Sequence, residues 1–212
     1  MRIKPAVMTI EAPSPSIHPK SRAAWRAWLQ RQHLRAAGVW LITFKKGTGK
    51  PRVEYDAAVE EALCFGWIDS KPSALDDERS MLWFSPRKPR SGWSKPNKQR
   101  VARLTAAGLM AEAGLAVIRA AKRNGSWTAL DAVEALEIPP DLKRALAAQP
   151  PATENFAAFP RSVKRGILEW IQSAKRPETR AVRVQTTADM ARRNERANQW
   201  RGPAGRKQPG AT

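Results

Sequence analysis

The spacing of apolar residues along the chain predicts an alternation of helix and strand in the first hundred positions and helix alone after that. In "RAAWRAWLQRQHLRAA" the side facing inward carries Trp25, Trp28, Leu29 and Gln32, the three-to-four spacing of a helix. Ser21 precedes it as a cap and Gly38 follows it as a stop. "VWLITFKK" is β-branched and aromatic, a strand, and "KGTGKP" is a turn. Asp56 is placed to cap "DAAVEEALCFGW", a short helix with Val59, Ala62 and Leu63 inward that ends near Gly66. "WIDSKP" and "SMLWFSPRK" read as two strands around the polar loop "SALDDERS", which together with Val39 to Lys45 form a small antiparallel sheet.

From about Asn97 the period is helical. "NKQRVARLTAAG" presents Val101 and Leu104 and stops at Gly108; "AEAGLAVIRAAKRNG" presents Leu115 and Ile118 and stops at Gly125. Two shorter helices follow, "TALDAVEAL" and "PPDLKRALAAQ", the second with proline in its first turn. After "ATENFAAFP", Ser162 is placed to cap "VKRGILEWIQSAK", and Pro177 starts a last helix. The fold class is α+β: a small antiparallel sheet with helices in the N-terminal part, followed by a helical C-terminal part. The expected division is a loose lead-in over 1–20, an α+β domain over 21–150 with its boundary near Gln149-Pro150-Pro151, a helical region over 151–199, and a disordered tail over 200–212.

Charge changes the picture more than overall composition does. The 212 residues hold 38 Lys and Arg against 19 Asp and Glu, a net +19 that favours nucleic acid or other polyanions as partners. The excess is uneven: residues 53–86 carry two cations and eight anions, whereas 87–103 carry seven cations and no anion. The acidic stretch from Glu54 to Glu78 is therefore placed to neutralise a neighbouring cationic block.

Several chemistries are excluded by residue counts. One cysteine, Cys64 in an apolar setting, allows no disulfide framework and no thiolate cluster, and two histidines make no histidine-rich zinc site. Neither phosphate-loop nor dinucleotide fingerprints occur, so no cofactor is expected. No run of 18 apolar residues raises a membrane span, and prolines and Glu11 interrupt the N-terminus where a secretory signal would be apolar. A soluble, cytoplasmic protein is expected, with its oligomeric state open.

Two stretches carry candidate chemistry. In "FGWIDSKP", Asp69, Ser70 and Lys71 end a strand, where an acid, a hydroxyl and an ammonium can converge; the plainer reading pairs Asp69 with a neighbouring cation. In "SPRKPRSGWSKPNK", Arg87, Lys88, Arg90, Lys95 and Lys98 are candidate anion contacts, Trp93 a stacking face, and Ser91, Ser94 and Asn97 hydrogen-bond donors. The alternative is a solvated loop pinned by Trp93. Arg176, Arg180 and Arg183 cluster at a helix start, where they oppose the macrodipole unless Glu178 or a bound anion compensates.

These motifs, with "EYDAAVEEALCFGWIDS", "FSPRKPRSGWSKPNKQRV", "GLMAEAG", "NGSW" and "ILEWIQSAKRPETRAVRV", resemble in that order the YdeI/OmpD-associated family, often called bacteriocin-protection proteins, from about Ser21 to Asn198. The resemblance implies a bacterial protein linked to tolerance of bacteriocins or cationic antimicrobial peptides, and carries no catalytic residue set. A basic protein does not sequester a cationic peptide by charge. Two readings follow: a binding protein whose basic loop and last helix contact nucleic acid, an anionic metabolite or an acidic protein surface, or a small-ligand protein or enzyme with a pocket around Asp69, Lys71 and Arg87.

Overall fold

The computed structural model describes residues 12–198; the expected tail over 200–212 and the first part of the lead-in lie outside them. The chain divides into two compact units between Ala129 and Leu130.

In the first unit, Ser21 caps α1 (Arg22–Gln32), its hydroxyl accepting from the Ala24 amide at 3.2 Å. α1 ends at His33, short of Gly38. Gly38 has another use: a Cβ there would run into the Trp83 ring, so its bareness lets the chain enter the sheet. The strands are β1 (Ser16–Ile17), β2 (Val39–Phe44), β3 (Trp67–Ala74) and β4 (Arg79–Pro86), in the order β1-β2-β4-β3. β2, β4 and β3 are antiparallel as expected, but β1 pairs parallel to β2, so part of the lead-in is an edge of the sheet. His18 just beyond it packs its ring 4.7 Å from Phe44.

α2 (Tyr55–Cys64) has Glu54 at its N-cap, with Asp56 one position inside the first turn and paired instead with Arg100. Gly66, at φ +75°, turns the chain from α2 into β3. α3 (Lys95–Ala106) starts two residues before the helical spacing becomes legible and holds Pro96 in its first turn, where the missing N–H costs nothing. α4 (Glu112–Arg123) completes the unit. Its core joins Trp25, Leu29, Leu63, Trp67, Phe84 and Trp93, each 1% exposed or less. Full burial of such side chains stabilises by roughly 1.5–3 kcal/mol each. The indole N–H of Trp25 donates to the Ala58 carbonyl at 3.0 Å and that of Trp67 to the His33 carbonyl at 3.1 Å, so neither polar tip is stranded.

The second unit is helical: α5 (Asp131–Glu134), α6 (Pro140–Ala147), α7 (Ala152–Ala158), α8 (Arg161–Gln172) and α9 (Pro177–Arg192). Pro140 and Pro177 open α6 and α9 as expected; Ser162 sits inside the first turn of α8, with Pro160 at the cap. The unit begins upstream of Gln149 because Val133, Leu142 and Leu146 share one core with Phe156, Ile167 and Ile171. Among the described residues no helix is long and apolar enough to cross a membrane.

Candidate ligand-binding cleft

β3 and β4 pair Asp69 with Phe84, but the next pairing is Pro72 with Leu82, so Ser70 and Lys71 together oppose one residue, Trp83. Such a bulge bends its strand and increases the local twist. Beside it, between the sheet face and the first turns of α2, lies a cleft of about 620 Å³. Leu41, Leu82, Val53 and Ala58 give it an apolar floor. They do so because Leu41 and Leu82 are cross-strand partners on the face that also carries the buried Phe84.

Polar groups stand at the two ends. At one, the Tyr55 hydroxyl donates to the Asp69 carboxylate at 3.0 Å. Partial burial, then the adjacent Asp69 charge, push the Tyr55 phenol above its ordinary pKa, so it remains a donor at neutral pH. At the other end the Thr43 hydroxyl donates to the Val53 carbonyl at 3.3 Å, and Lys45 donates its ammonium to the Asp76 carbonyl at 2.8 Å. Arg52 pairs with Glu54 at 2.5 Å; its Nε is buried and has no hydrogen-bond partner among the described residues. Together these features give the cleft an apolar floor between two polar ends. Among the described residues no cluster of His, Cys, Asp and Glu is arranged to hold a metal ion.

Of the three residues expected to converge, only Asp69 lines this cleft. Lys71 is exposed on the bulge outside it. Arg87 turns into the core, its guanidinium 3.9 Å over the Trp93 ring and its Nη2 donating to the Gly92 carbonyl. Burial drives the Arg87 pKa down to about 10, and the field of Asp69 opposes that shift. Trp93 is 1% exposed, against Trp127 at 5.0 Å on one side and Arg87 on the other, so the stacking face expected of it is already covered.

The remaining basic-loop residues are spread around this aromatic pair. Ser91 donates to the Lys88 carbonyl at 2.9 Å, Asn97 accepts from Arg100 at 3.0 Å, and Lys98 stands 5.5 Å over the Trp127 ring. Lys95 is exposed in the first turn of α3. Lys88 and Arg90 are exposed and make no ion pair among the described residues. The acidic stretch does neutralise its neighbours: Glu61 pairs with Arg22 and Arg26, and Glu60 with Arg22 and Arg103. In the second unit Arg180 is held by Asp141 through two bonds of 2.7 and 3.0 Å, in place of the expected Glu178, while Arg176 is exposed at the N-cap of α9.

Sequence reasoning missed Tyr55, Thr43, Lys45 and Arg52. The available signal was weak: Tyr55 is the sole tyrosine, at a helix start.

A domain family of unknown function matches residues 17–117, the part that holds the cleft and the "GWIDS" motif. No curated protein and no solved structure matches the chain. Residues 135–194, including "ILEWIQSAKRPETRAVRV", match the family described as bacteriocin-protection, YdeI or OmpD-associated, the one that the sequence motifs resemble.

Proposed function

We propose that this chain is a cytoplasmic binding protein acting in tolerance of bacteriocins or antimicrobial peptides, and that its first unit binds a small amphipathic ligand in the cleft beside Asp69. The carrying observation is the cleft itself: about 620 Å³ of space with an apolar floor and the Tyr55–Asp69 pair at one end. Its cytoplasmic setting rests on the single buried cysteine. The role in tolerance rests on the family match of residues 135–194.

The test is an amide NMR titration with a panel of small carboxylates, amines and short peptides. Saturating shifts are expected at Thr43, Tyr55, Asp69 and Ser70, with Asp69→Asn weakening binding at an unchanged unfolding midpoint. No saturable shift at these four positions from any panel member would sink the reading.

A second reading, contact with nucleic acid, an anionic metabolite or an acidic protein surface, is favoured by Lys88 and Arg90. Both are exposed without an ion pair among the described residues, and Arg90 lines an open cavity of about 600 Å³ with Asn124 and Ser126. Replacing both cations by Gln is expected to weaken binding to single-stranded DNA and to flatten its salt dependence. An unaltered salt slope removes these two residues from any such contact.

A further inference from the structure

The two ends of the cleft differ in sign, and their separation follows from the strand register. Asp69 is level with Phe84, and Ala74 is level with Ser80. Ser80 in turn pairs with Thr43, beside Lys45 and Arg52. Positions 84 and 80 are four residues apart on β4, about 13 Å at about 3.3 Å per residue, and Asp69 on β3 and Thr43 on β2 are also two strands apart, about 10 Å across the sheet, so the ends are about 16 Å apart. Leu41 and Leu82 lie between them.

At the Asp69 end the carboxylate accepts from Tyr55 and retains lone pairs for another donor. No ion pair joins it to a cation among the described residues: Arg87, which feels its field, lies over Trp93 and donates through Nη2 to Gly92, and Arg100 pairs with Asp56. At the far end Glu54 offsets the Arg52 charge, yet among the described residues the Arg52 Nε has no hydrogen-bond partner, and Lys45 binds a carbonyl rather than a carboxylate. One end thus asks for a cation or donor and the other for an anion.

We infer that the ligand of this cleft is a short linear zwitterion with an apolar body, its ammonium at Asp69 and its carboxylate at Lys45 and Arg52. The inference rests on the cleft being the binding site proposed above. Length selects the size: three extended residues span about 10 Å, and a hydrogen bond of about 3 Å at each terminus extends the reach to about 16 Å, so a tripeptide with free termini fits between the ends. A diacid would set a carboxylate against Asp69, and a diamine would set an ammonium against Lys45.

The experiment titrates the whole protein, by calorimetry and by the same amide NMR signals, with Ala-Leu-Ala in four forms: free, N-acetylated, C-amidated and blocked at both ends. 8-Aminooctanoate serves as a zwitterion of similar length without peptide groups. The free tripeptide is expected to bind best, with each block costing about tenfold, as for a charge-assisted hydrogen bond. Asp69→Asn should abolish discrimination against the acetylated form alone, and Lys45→Gln, at an exposed side chain, discrimination against the amidated form alone. If 8-aminooctanoate matches the free tripeptide, charge spacing alone is recognised; if it binds less tightly, the peptide groups contribute as well.

Four peptide forms binding alike would overturn the charge assignment and leave the cleft reading intact. Failure of both the peptides and 8-aminooctanoate would overturn the inference, and the wider panel then decides the cleft reading separately. A normal unfolding midpoint for each variant ensures that a lost preference reports the site.

Discussion

Arg87 and Arg180 come from two cationic stretches that read alike in sequence, yet the fold treats them in opposite ways. Arg180 meets a carboxylate, Asp141, 39 residues earlier in the chain, in a two-bond pair about a third exposed. Arg87 is 9% exposed and pairs with no carboxylate among the described residues; an indole face and a carbonyl take its place. A guanidinium leaving water requires compensation, and either a bidentate carboxylate or an aromatic face with a hydrogen bond supplies part of it. The difference shows in protonation: Arg87 is driven down to about 10 by burial, whereas Arg180 holds Asp141 below the usual carboxylate range. Both arginines are turned to internal use, which narrows the cations offered outward.

The comparison breaks most readily at Trp93. Trp93→Ala is expected to cost about 3–5 kcal/mol, because it opens a core cavity and removes the ring under Arg87. Trp93→Phe should retain most of that stability. Denaturant unfolding measures both, and a cost below about 1 kcal/mol for the alanine variant would return Trp93 to the surface as a stacking face. Next in size, Arg87→Ala should lose about 2 kcal/mol through packing, while Arg87→Met, which keeps an apolar stem without a buried charge, should be near neutral. If the two variants are equally destabilised, the positive charge itself is what the Trp93 site requires.

Much of the fold is legible in the sequence because its signals are local. Trp25 and Leu29 share one helical face, Ser21 is followed by that helix, and the strand-forming runs on either side of "SALDDERS" do pair. What escaped is non-local. Ser16–Ile17 has no strand pattern and becomes β1 only by pairing with Trp40 and Leu41. The start of α3 is hidden by Pro96, which reads as a helix breaker until it is placed in a first turn.

The site was less legible than the fold. Asp69 stands out in the sequence as an acid in a strand-forming run and does line the cleft, inside β3 rather than at its end, whereas Lys71 and Arg87 lie outside the cleft. Lys71 belongs to a bulge whose position depends on the register with β4, and Arg87 is drawn inward by a ring six residues later. Tyr55, Thr43 and Arg52 reach the cleft through the packing of α2 and β2, which no spacing along the chain records.

The smallest effect is expected at Asp141, and pH gives its signature. Arg180 donates to both Asp141 oxygens, and these bonds hold the carboxyl pKa below its unfolded value. A depressed carboxyl means that the unfolded chain binds more protons over the window between the two values, so folding stability rises with pH there. The contribution is fully present above the ordinary carboxylate pKa of about 4 and is lost as pH falls through the lower folded value. Solvent screens a pair this exposed, so Asp141→Asn should cost only about 1 kcal/mol at pH 7. The difference between variant and parent in urea midpoint should shrink below about pH 4, the ordinary carboxylate value. An Asp141→Asn penalty that stayed constant down to strong acid would mean that the helix start at α6, where Asp141 also accepts from the Leu142 amide at 2.9 Å, matters more than the ion pair. Arg180 would then be as poorly matched by a carboxylate as Arg87 is, and the contrast between the two regions would fail.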